Sequence, residues 1–360
     1  MGVYIFLCIF PFLAFIFSKV KYPVSEKKYR STFLVVTYCV LLFISGFRNN
    51  TVGGDLERYL PEFRDVATTP FFNIVKEGYG SREYGYAVLE RIIGIIGSQD
   101  VVFIFLTSFV FITIFWGVIS KYSQNVFFSV LLFILFFLGN SFNIIRASIA
   151  VAICISSYES IVNRKIKRFL FLTLLAFLIQ KTSVFFIFAY FLYNRKYSVT
   201  RIIIVLSLVF FASIYLSSSI FVNIVQTYLT IYAPETLEEE VGRASLITPF
   251  CLFQILLLIF FMWVYYKSKS KDKLYEFFMH MLVLAISFQF FASMYVYLNR
   301  ISLFYFSFII LFLPYASKFI PRGIRSIALL LIIAGFIALY FVGLNSDPQG
   351  INPYSFIFFN

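Results

Sequence analysis

The sequence predicts an all-α polytopic membrane protein, and three observations carry that prediction. Of the 360 residues, 61% are hydrophobic, 22% aromatic and only 13% charged, more apolar surface than a water-soluble domain can hide. The apolar residues come in long runs from end to end, without the alternation of a transmembrane β-strand. Lysine and arginine gather in the short connections between those runs, which explains the formal charge of +13 without a basic soluble face for nucleic acid.

In chain order, apolar spans are expected near 2–18, 31–47, 101–120, 126–139, 143–161, 169–180, 183–193, 202–219, 247–266, 275–294, 300–317 and 324–343, about 12 transmembrane segments in all. The first, Gly2–Phe17, lacks a basic leader and a small-residue cleavage site, so it reads as a retained helix. Five connections are strongly basic: Lys19–Arg30, Asn163–Arg168, Asn194–Arg201, Lys267–Lys273 and Lys318–Arg325. Twelve crossings put all five on one side, which the excess of positive charge makes cytoplasmic. Both termini then lie outside, as do the acid-bearing loops 48–83 and 220–244. On this reading residues 1–360 form a single transmembrane domain, with outer regions at 48–100 and 220–246.

Two stretches need separate treatment. Counting Tyr84–Gly97 as a crossing would put Asn163–Arg168 on the wrong side, and the stretch holds Glu90 and Arg91 in mid-run. Val88, Leu89, Ile92, Ile93 and Ile96 share one helical face, which predicts an interfacial helix on the outer leaflet. Segments 169–180 and 183–193 are each short for a perpendicular crossing at 1.5 Å per residue. With basic clusters at both ends and Gln180-Lys-Thr-Ser183 between, they predict a short helical hairpin; one tilted helix with a snorkelling Lys181 is the alternative.

Four cations lie at one end of long apolar runs: Arg48, Arg146, Lys181 and Arg300. An ionisable residue at membrane depth is costly and marks a functional cavity by default. Snorkelling explains any one of them alone, but all four at a common depth suggest a clamp for a polyanionic lipid head group. The loop Gly46-Phe-Arg-Asn-Asn-Thr-Val-Gly-Gly-Asp-Leu-Glu-Arg-Tyr59 offers a tight turn at Gly53-Gly54 whose amides could approach an anion. Asp55 could accept a proton there, or simply cap the turn. Glu83 could cap the following helix or supply a second carboxylate to the cavity. The run Glu235, Glu238, Glu239 and Glu240 reads as a solvated face. Cys8, Cys39, Cys154 and Cys251 fall in apolar segments and read as buried thiols. His280 is the only histidine, which rules out clusters of histidine ligands.

Phe47-Arg48 through Gly53-Gly54-Asp55 to Tyr59, then Glu83-Tyr-Gly-Tyr86, Asn143-Ile-Ile-Arg146 with Ala150, Gln180-Lys181-Thr-Ser183 and Arg300-Ile301 together resemble the EpsG-like branch of the Wzy-type polysaccharide polymerases. The resemblance runs in order over roughly residues 1–325. Two positions depart from the family's habit. Ala147 stands where Gln usually follows the helix arginine, and Gln180 where the family commonly has His, which removes a general base from that position.

The resemblance implies a GT-C-like polymerase or ligase architecture in the bacterial inner membrane, with the active site facing the periplasm. It implies an O-antigen-type polymerase, an inverting glycosyltransferase. The enzyme would move a glycan from an undecaprenyl-diphosphate-linked oligosaccharide donor to the non-reducing end of a second lipid-linked unit. Arg48, Arg146, Lys181 and Arg300 would hold the diphosphate. Asp55, or failing that Glu83, would take the acceptor's proton, and Tyr59, Tyr84 and Tyr86 would stack on sugars or anchor at the membrane interface. No cofactor is expected, and a divalent metal is not required. Membrane lipids and a chain-length regulator protein are the further partners considered. A lipid-linked oligosaccharide flippase and an O-antigen ligase are the alternatives; a transporter should show related halves and a midplane site, and the sequence shows neither.

Overall fold

The computed structural model describes residues 1–77, 83–196, 198–216, 247–268, 272–291 and 298–358. Among these the protein is helical, with one isolated antiparallel bridge between Arg48 and Phe356. Nine helices among the described residues are long and apolar enough to cross a membrane. Large apolar side chains such as Leu13 (55% exposed), Leu208 (65%) and Leu330 (69%) stand on their outer faces, as a lipid-facing surface requires. Cys154 and Cys251 are buried as expected, whereas Cys39 is exposed and Cys8 half-buried.

The described residues divide into two compact units: 1–187 with 309–318 and 322–360, and 188–308 with 319–321. In the first unit, α1 (Gly2–Lys21) and α2 (Glu26–Gly46) are followed by a loop and α3 (Leu56–Thr68), α4 (Phe71–Glu77) and α5 (Tyr84–Ile96). Then come α6 (Asp100–Tyr122), α7 (Val126–Leu132), a π-helical turn (Phe133–Leu138), α8 (Gly139–Asn143), α9 (Ile145–Ser156), α10 (Tyr158–Val162) and α11 (Ile166–Ile179). The second unit holds α12 (Phe188–Leu192), α13 (Val199–Leu216), α14 (Pro249–Ser268), α15 (Lys273–Phe291) and α16 (Asn299–Phe306). The chain re-enters the first unit with α17 (Ile309–Ala316) and α18 (Arg322–Ser346). The second outer loop, 220–246, with Glu235 and Glu238 to Glu240, lies outside the described residues.

Local chemistry explains the main packings. Ser25 caps α2 by accepting the Lys28 amide, and Asn125 caps α7 by accepting those of Phe127 and Phe128. Helices α2 and α6 run antiparallel. Arg30 Nη2 donates to the carbonyls of Ser120 and Ser123 at 2.9 Å each, Trp116 Nε1 donates to Leu34 O at 2.9 Å, and Gly46 lets Phe105 close in at the other end. Thr37 and Thr107 return their hydroxyls to carbonyls one turn back, so neither is left bare inside the bundle.

These contacts order the ends of the first unit. Arg30 meets the 120–123 turn, and Glu159 takes hydrogen bonds from Lys121 Nζ (2.6 Å) and Tyr122 Oη (2.5 Å), with Lys165 Nζ at 3.6 Å. Two of the basic connections therefore share one end. At the other end the Met1 amino group donates to Asn352 Oδ1 at 3.4 Å, beside the loop that follows α2.

Three segments expected to span are short or broken: α11, the 3-10 turn Lys181–Ile187 with α12, and α16 with α17. The chain reverses at Gln180, because the Phe169 and Phe186 rings lie 5.9 Å apart; a continuous helix would separate them by about 25 Å. Helix α5 spans 13 residues, about 20 Å and too short to cross. Its Ile92, Ile95 and Ile96 are exposed, while Tyr86, Ala87, Glu90 and Ile93 turn inward. The face expected to be apolar is thus split: Ile93 packs inward, and Glu90, read as a mid-run interruption, is fully buried.

Candidate functional site

The loop after α2 turns at Gly53, whose φ of +116° is open to glycine alone at low strain. A Cβ there would come within 2.2 Å of Phe142 O, so the turn lies flat against the end of α8. Three successive amides are then taken up. Gly53 N donates to Gly350 O and Gly54 N to Gln349 O, each at 2.8 Å, and Asp55 N donates to Asn143 Oδ1 at 2.7 Å. The amides expected to face an anion are therefore bound to the C-terminal segment and to one side chain. That corrects the anion-cradle reading.

The C-terminal segment is an ordered strap. Asn49 N donates to Ser355 O at 2.9 Å, Ile357 N to Phe47 O at 3.0 Å, and Tyr354 Oη to Ile44 O. Asp347 shapes the strap by accepting from Ile351 N (2.8 Å) and Asn352 N (3.1 Å), and Tyr4 Oη donates to Ile351 O.

Arg48 lies beneath this strap and is 1% exposed. Its Nη1 donates to Ser45 O (2.6 Å) and Ser108 Oγ (3.0 Å), its Nε to Val52 O (3.3 Å), and its Cζ sits 4.8 Å from the centre of the Phe142 ring. Burial pulls the guanidinium below its ordinary range, to about 10, while Tyr354 and Tyr4 push the other way; it stays a cation at neutral pH. In this arrangement Arg48 ties α2 to α6 and cannot reach a lipid head group.

Arg146 is placed differently. The chain reverses at Ile144, between α8 and α9, so Arg146 stands in the first turn of α9. Its Nη1 donates to Glu83 Oε2 at 2.6 Å and its Nε to Tyr59 Oη at 3.1 Å, with side-chain exposures of 19% for Arg146 and 11% for Glu83. The Tyr59 and Tyr86 rings lie 5.5 and 5.7 Å from its Cζ and meet each other edge to face at 5.9 Å. Glu83 makes no capping bond to α5, which resolves its two readings in favour of the carboxylate at Arg146. Asp55 is half-buried, makes no capping bond to α3, and shares a helical face with Tyr59 four residues on.

Helix α3 is held from outside by Arg64, whose Nε donates to Asp100 Oδ1 at 2.8 Å, and Gly94 of α5 sits against Ala67. The structure thus groups Asp55, Tyr59, Glu83, Tyr86 and Arg146 around the α8–α9 turn. Tyr84 is 40% exposed. Lys181 is exposed in the 3-10 turn after α11, and Gly85 of α5 packs against Leu178 just before it. Arg300 belongs to the second unit and is half-buried. Sequence reasoning assigned no role to Asn143, Gln349 or Tyr354; the Asp347, Gly350 and Pro353 punctuation was the one signal of a shaped tail.

A model of the EpsG family matches residues 31–356, nine-tenths of the chain and reaching into the strap. The chain belongs to the EpsG family. No curated protein and no solved structure matches it. The family match takes in all five residues grouped at the α8–α9 turn, together with Lys181 and Arg300. Membership suggests work of the polysaccharide-polymerase kind for this multi-pass protein.

Proposed function

We propose that this EpsG-family protein is a membrane glycosyltransferase that polymerises lipid-linked oligosaccharide repeat units at the periplasmic face of a bacterial inner membrane. The observation that carries the reading is the Arg146–Glu83–Tyr59 cluster beside Asp55, at the end of the first unit opposite two of its basic connections. A cation, carboxylates and phenol rings gathered in a part-buried place of a membrane protein support a site there.

In this proposal the acceptor hydroxyl oxygen attacks the anomeric carbon of the donor sugar and a new C–O bond forms. The bond from that carbon to the diphosphate oxygen breaks, and its electron pair leaves with undecaprenyl diphosphate. Asp55 takes the hydroxyl proton, and Glu83 holds Arg146 in place. Attack opposite the leaving group inverts the anomeric centre. Charge grows on the diphosphate as the bond breaks, so fixed cations stabilise the transition state more than the ground state. Arg146 and Lys181 are assigned to that task, and Arg48 to holding the loop that bears Asp55. Tyr84, the exposed ring of the three, is the first to offer a sugar-stacking face, with Tyr59 and Tyr86 orienting Arg146.

The test is incubation of the purified protein with undecaprenyl-diphosphate-linked repeat units. Longer lipid-linked chains are expected. Transbilayer movement without extension would make the protein a flippase, and transfer only to a lipid A core acceptor would make it a ligase.

A further inference from the structure

At the end of the first unit that carries two basic connections, one carboxylate gathers three cations. Glu159 of α10 accepts from Lys121 Nζ at 2.6 Å and from Tyr122 Oη at 2.5 Å, both at the last turn of α6. Lys165 Nζ stands at 3.6 Å and Arg168 Nη1 at 3.9 Å, from the start of α11. One negative charge against three positive leaves an excess of two. The carboxylate is covered, with 18% side-chain exposure, whereas Lys121, Lys165 and Arg168 keep 61%, 54% and 52%. The excess charge therefore faces outward, and pairs this exposed contribute little to stability. Arg30, bonded to the carbonyls of Ser120 and Ser123, brings a further cation to the same end of α6.

The backbone shapes this cluster. Asn163 N donates to Glu159 O at 2.9 Å and Lys165 N to Ser160 O at 2.8 Å, and Arg164 turns the chain at a φ of +55°. Helix α11 then leads away with two faces. Phe169, Thr173, Ala176 and Ile179 turn inward. Lys167, Leu170, Phe171 and Leu174, at spacings of three and four, are exposed. A cation thus heads an apolar stripe that runs about 10 Å along the helix. The Tyr122 ring lies 5.1 Å from Lys121 Nζ and meets the Tyr158 ring edge to face at 4.9 Å. Tyrosines of this kind collect where membrane meets water.

We propose that this end of the first unit binds an anionic phospholipid of the surrounding bilayer. Lys121, Lys165, Lys167 and Arg168 hold its phosphate, and an acyl chain lies on Phe171 and Leu174. Basic pockets between membrane helices take such head groups. The excess of positive charge selects an anionic lipid over a zwitterionic one, which brings its own cation. The site is independent of the polymerase reading, since it lies at the opposite end from the Arg146 cluster and requires no reaction.

Native mass spectrometry of the full-length protein, released from nanodiscs of equal phosphatidylglycerol and phosphatidylcholine, tests the site. The parent should retain phosphatidylglycerol in preference. Lys165→Gln with Arg168→Gln should cut that retention about tenfold, and Lys167→Gln, which leaves the Glu159 pairs intact, about threefold. Arg322→Gln with Arg325→Gln, at another basic connection, should stay within about twofold of the parent. Equal loss in that control would mark diffuse surface charge and overturn the site, as would a parent that keeps both lipids alike. Should the Lys165, Arg168 double variant melt well below the parent, Lys167→Gln decides alone, and unchanged retention there overturns the site. An excess of inorganic phosphate should leave the lipid in place. Its displacement would assign the cluster to a soluble anion instead.

Discussion

Arg146 and Glu83, 63 positions apart in the chain, meet at 2.6 Å between Nη1 and Oε2, and the Tyr59 hydroxyl completes the contact from a third helix. One guanidinium therefore fixes α3, α5 and α9 at the same point. A bare arginine in the first turn of a membrane helix would be costly; here its partners are a carboxylate and a phenol, and it keeps 19% side-chain exposure. That residual exposure is what a head group would use.

Breaking the pair from either side should therefore affect chemistry and docking together. Arg146→Ala and Glu83→Gln are each expected to abolish chain extension. Arg146→Ala should also lower stability by about 1–3 kcal/mol, below the cost of a fully buried pair because both groups retain some exposure. Tyr59→Phe removes only one donor's partner and should cost about 1 kcal/mol. A double-mutant cycle on Glu83 and Tyr59 in a thermal-melt assay should show coupling through Arg146; simple additivity would break the link.

Asp55 gives a cleaner separation. Its amide, not its carboxylate, holds the Asn143 contact, and its carboxylate does not cap α3. Asp55→Asn keeps the amide contact and should lower kcat on the order of 10²–10⁴, with a smaller effect on the melting temperature than Arg146→Ala. A variant that melts several degrees lower with near-normal kcat would make Asp55 a structural residue.

Nine of the spans and the end shared by two basic connections were legible because a bilayer imposes them on composition: apolar runs must be long, and Lys19–Arg30 and Asn163–Arg168 carry the charge bias openly. Arg146, Glu83 and Asp55 were legible as costly or motif-bearing residues, but the pairing of Arg146 with Glu83 is a tertiary fact with no local trace. Arg48 looked equivalent to Arg146 in sequence; only the strap, whose backbone bonds to Phe47, Asn49, Gly53 and Gly54 use no distinctive side chain, separates a buried tie from an accessible cation. Glu90 was hidden for a related reason: α5 turns this carboxylate into the protein and Ile92, Ile95 and Ile96 outward, a split that the apolar run does not reveal.

The two loop glycines should behave oppositely on substitution. Gly53→Ala must adopt a φ of +116° and drive a methyl group toward Phe142 O, at 2.2 Å from an ideal Cβ. Strain of roughly 1–3 kcal/mol from the backbone alone is expected. Gly54→Ala meets its nearest neighbour, Gln349 O, at 3.6 Å, an ordinary contact. In a paired measurement of melting temperature and chain extension, Gly53→Ala should lose both and Gly54→Ala should keep both.

The strap supplies the last prediction, because it decides what Arg48 does. Tyr354 Oη donates to Ile44 O, and Gln349 and Gly350 hold the amides next to Asp55, so the strap clamps the loop to the end of α2. Removing residues 347–360 should expose Arg48, free the amides of Gly53 and Gly54, and make the loop susceptible to limited proteolysis near Asn49. Chain extension should fall because Asp55 loses its fixed place, not because a ligand contact is lost. Arg48→Lys isolates the same point more gently: a lysine cannot reproduce the fork that reaches Ser45 O, Val52 O and Ser108 Oγ at once. It should lower the melting temperature while KM for the lipid-linked unit stays within about twofold of the parent, a shift of under ~0.5 kcal/mol. Arg146→Lys, measured alongside, should raise KM severalfold. Matching rises in KM for both variants would return Arg48 to the head-group clamp and place the strap as a movable cover over it.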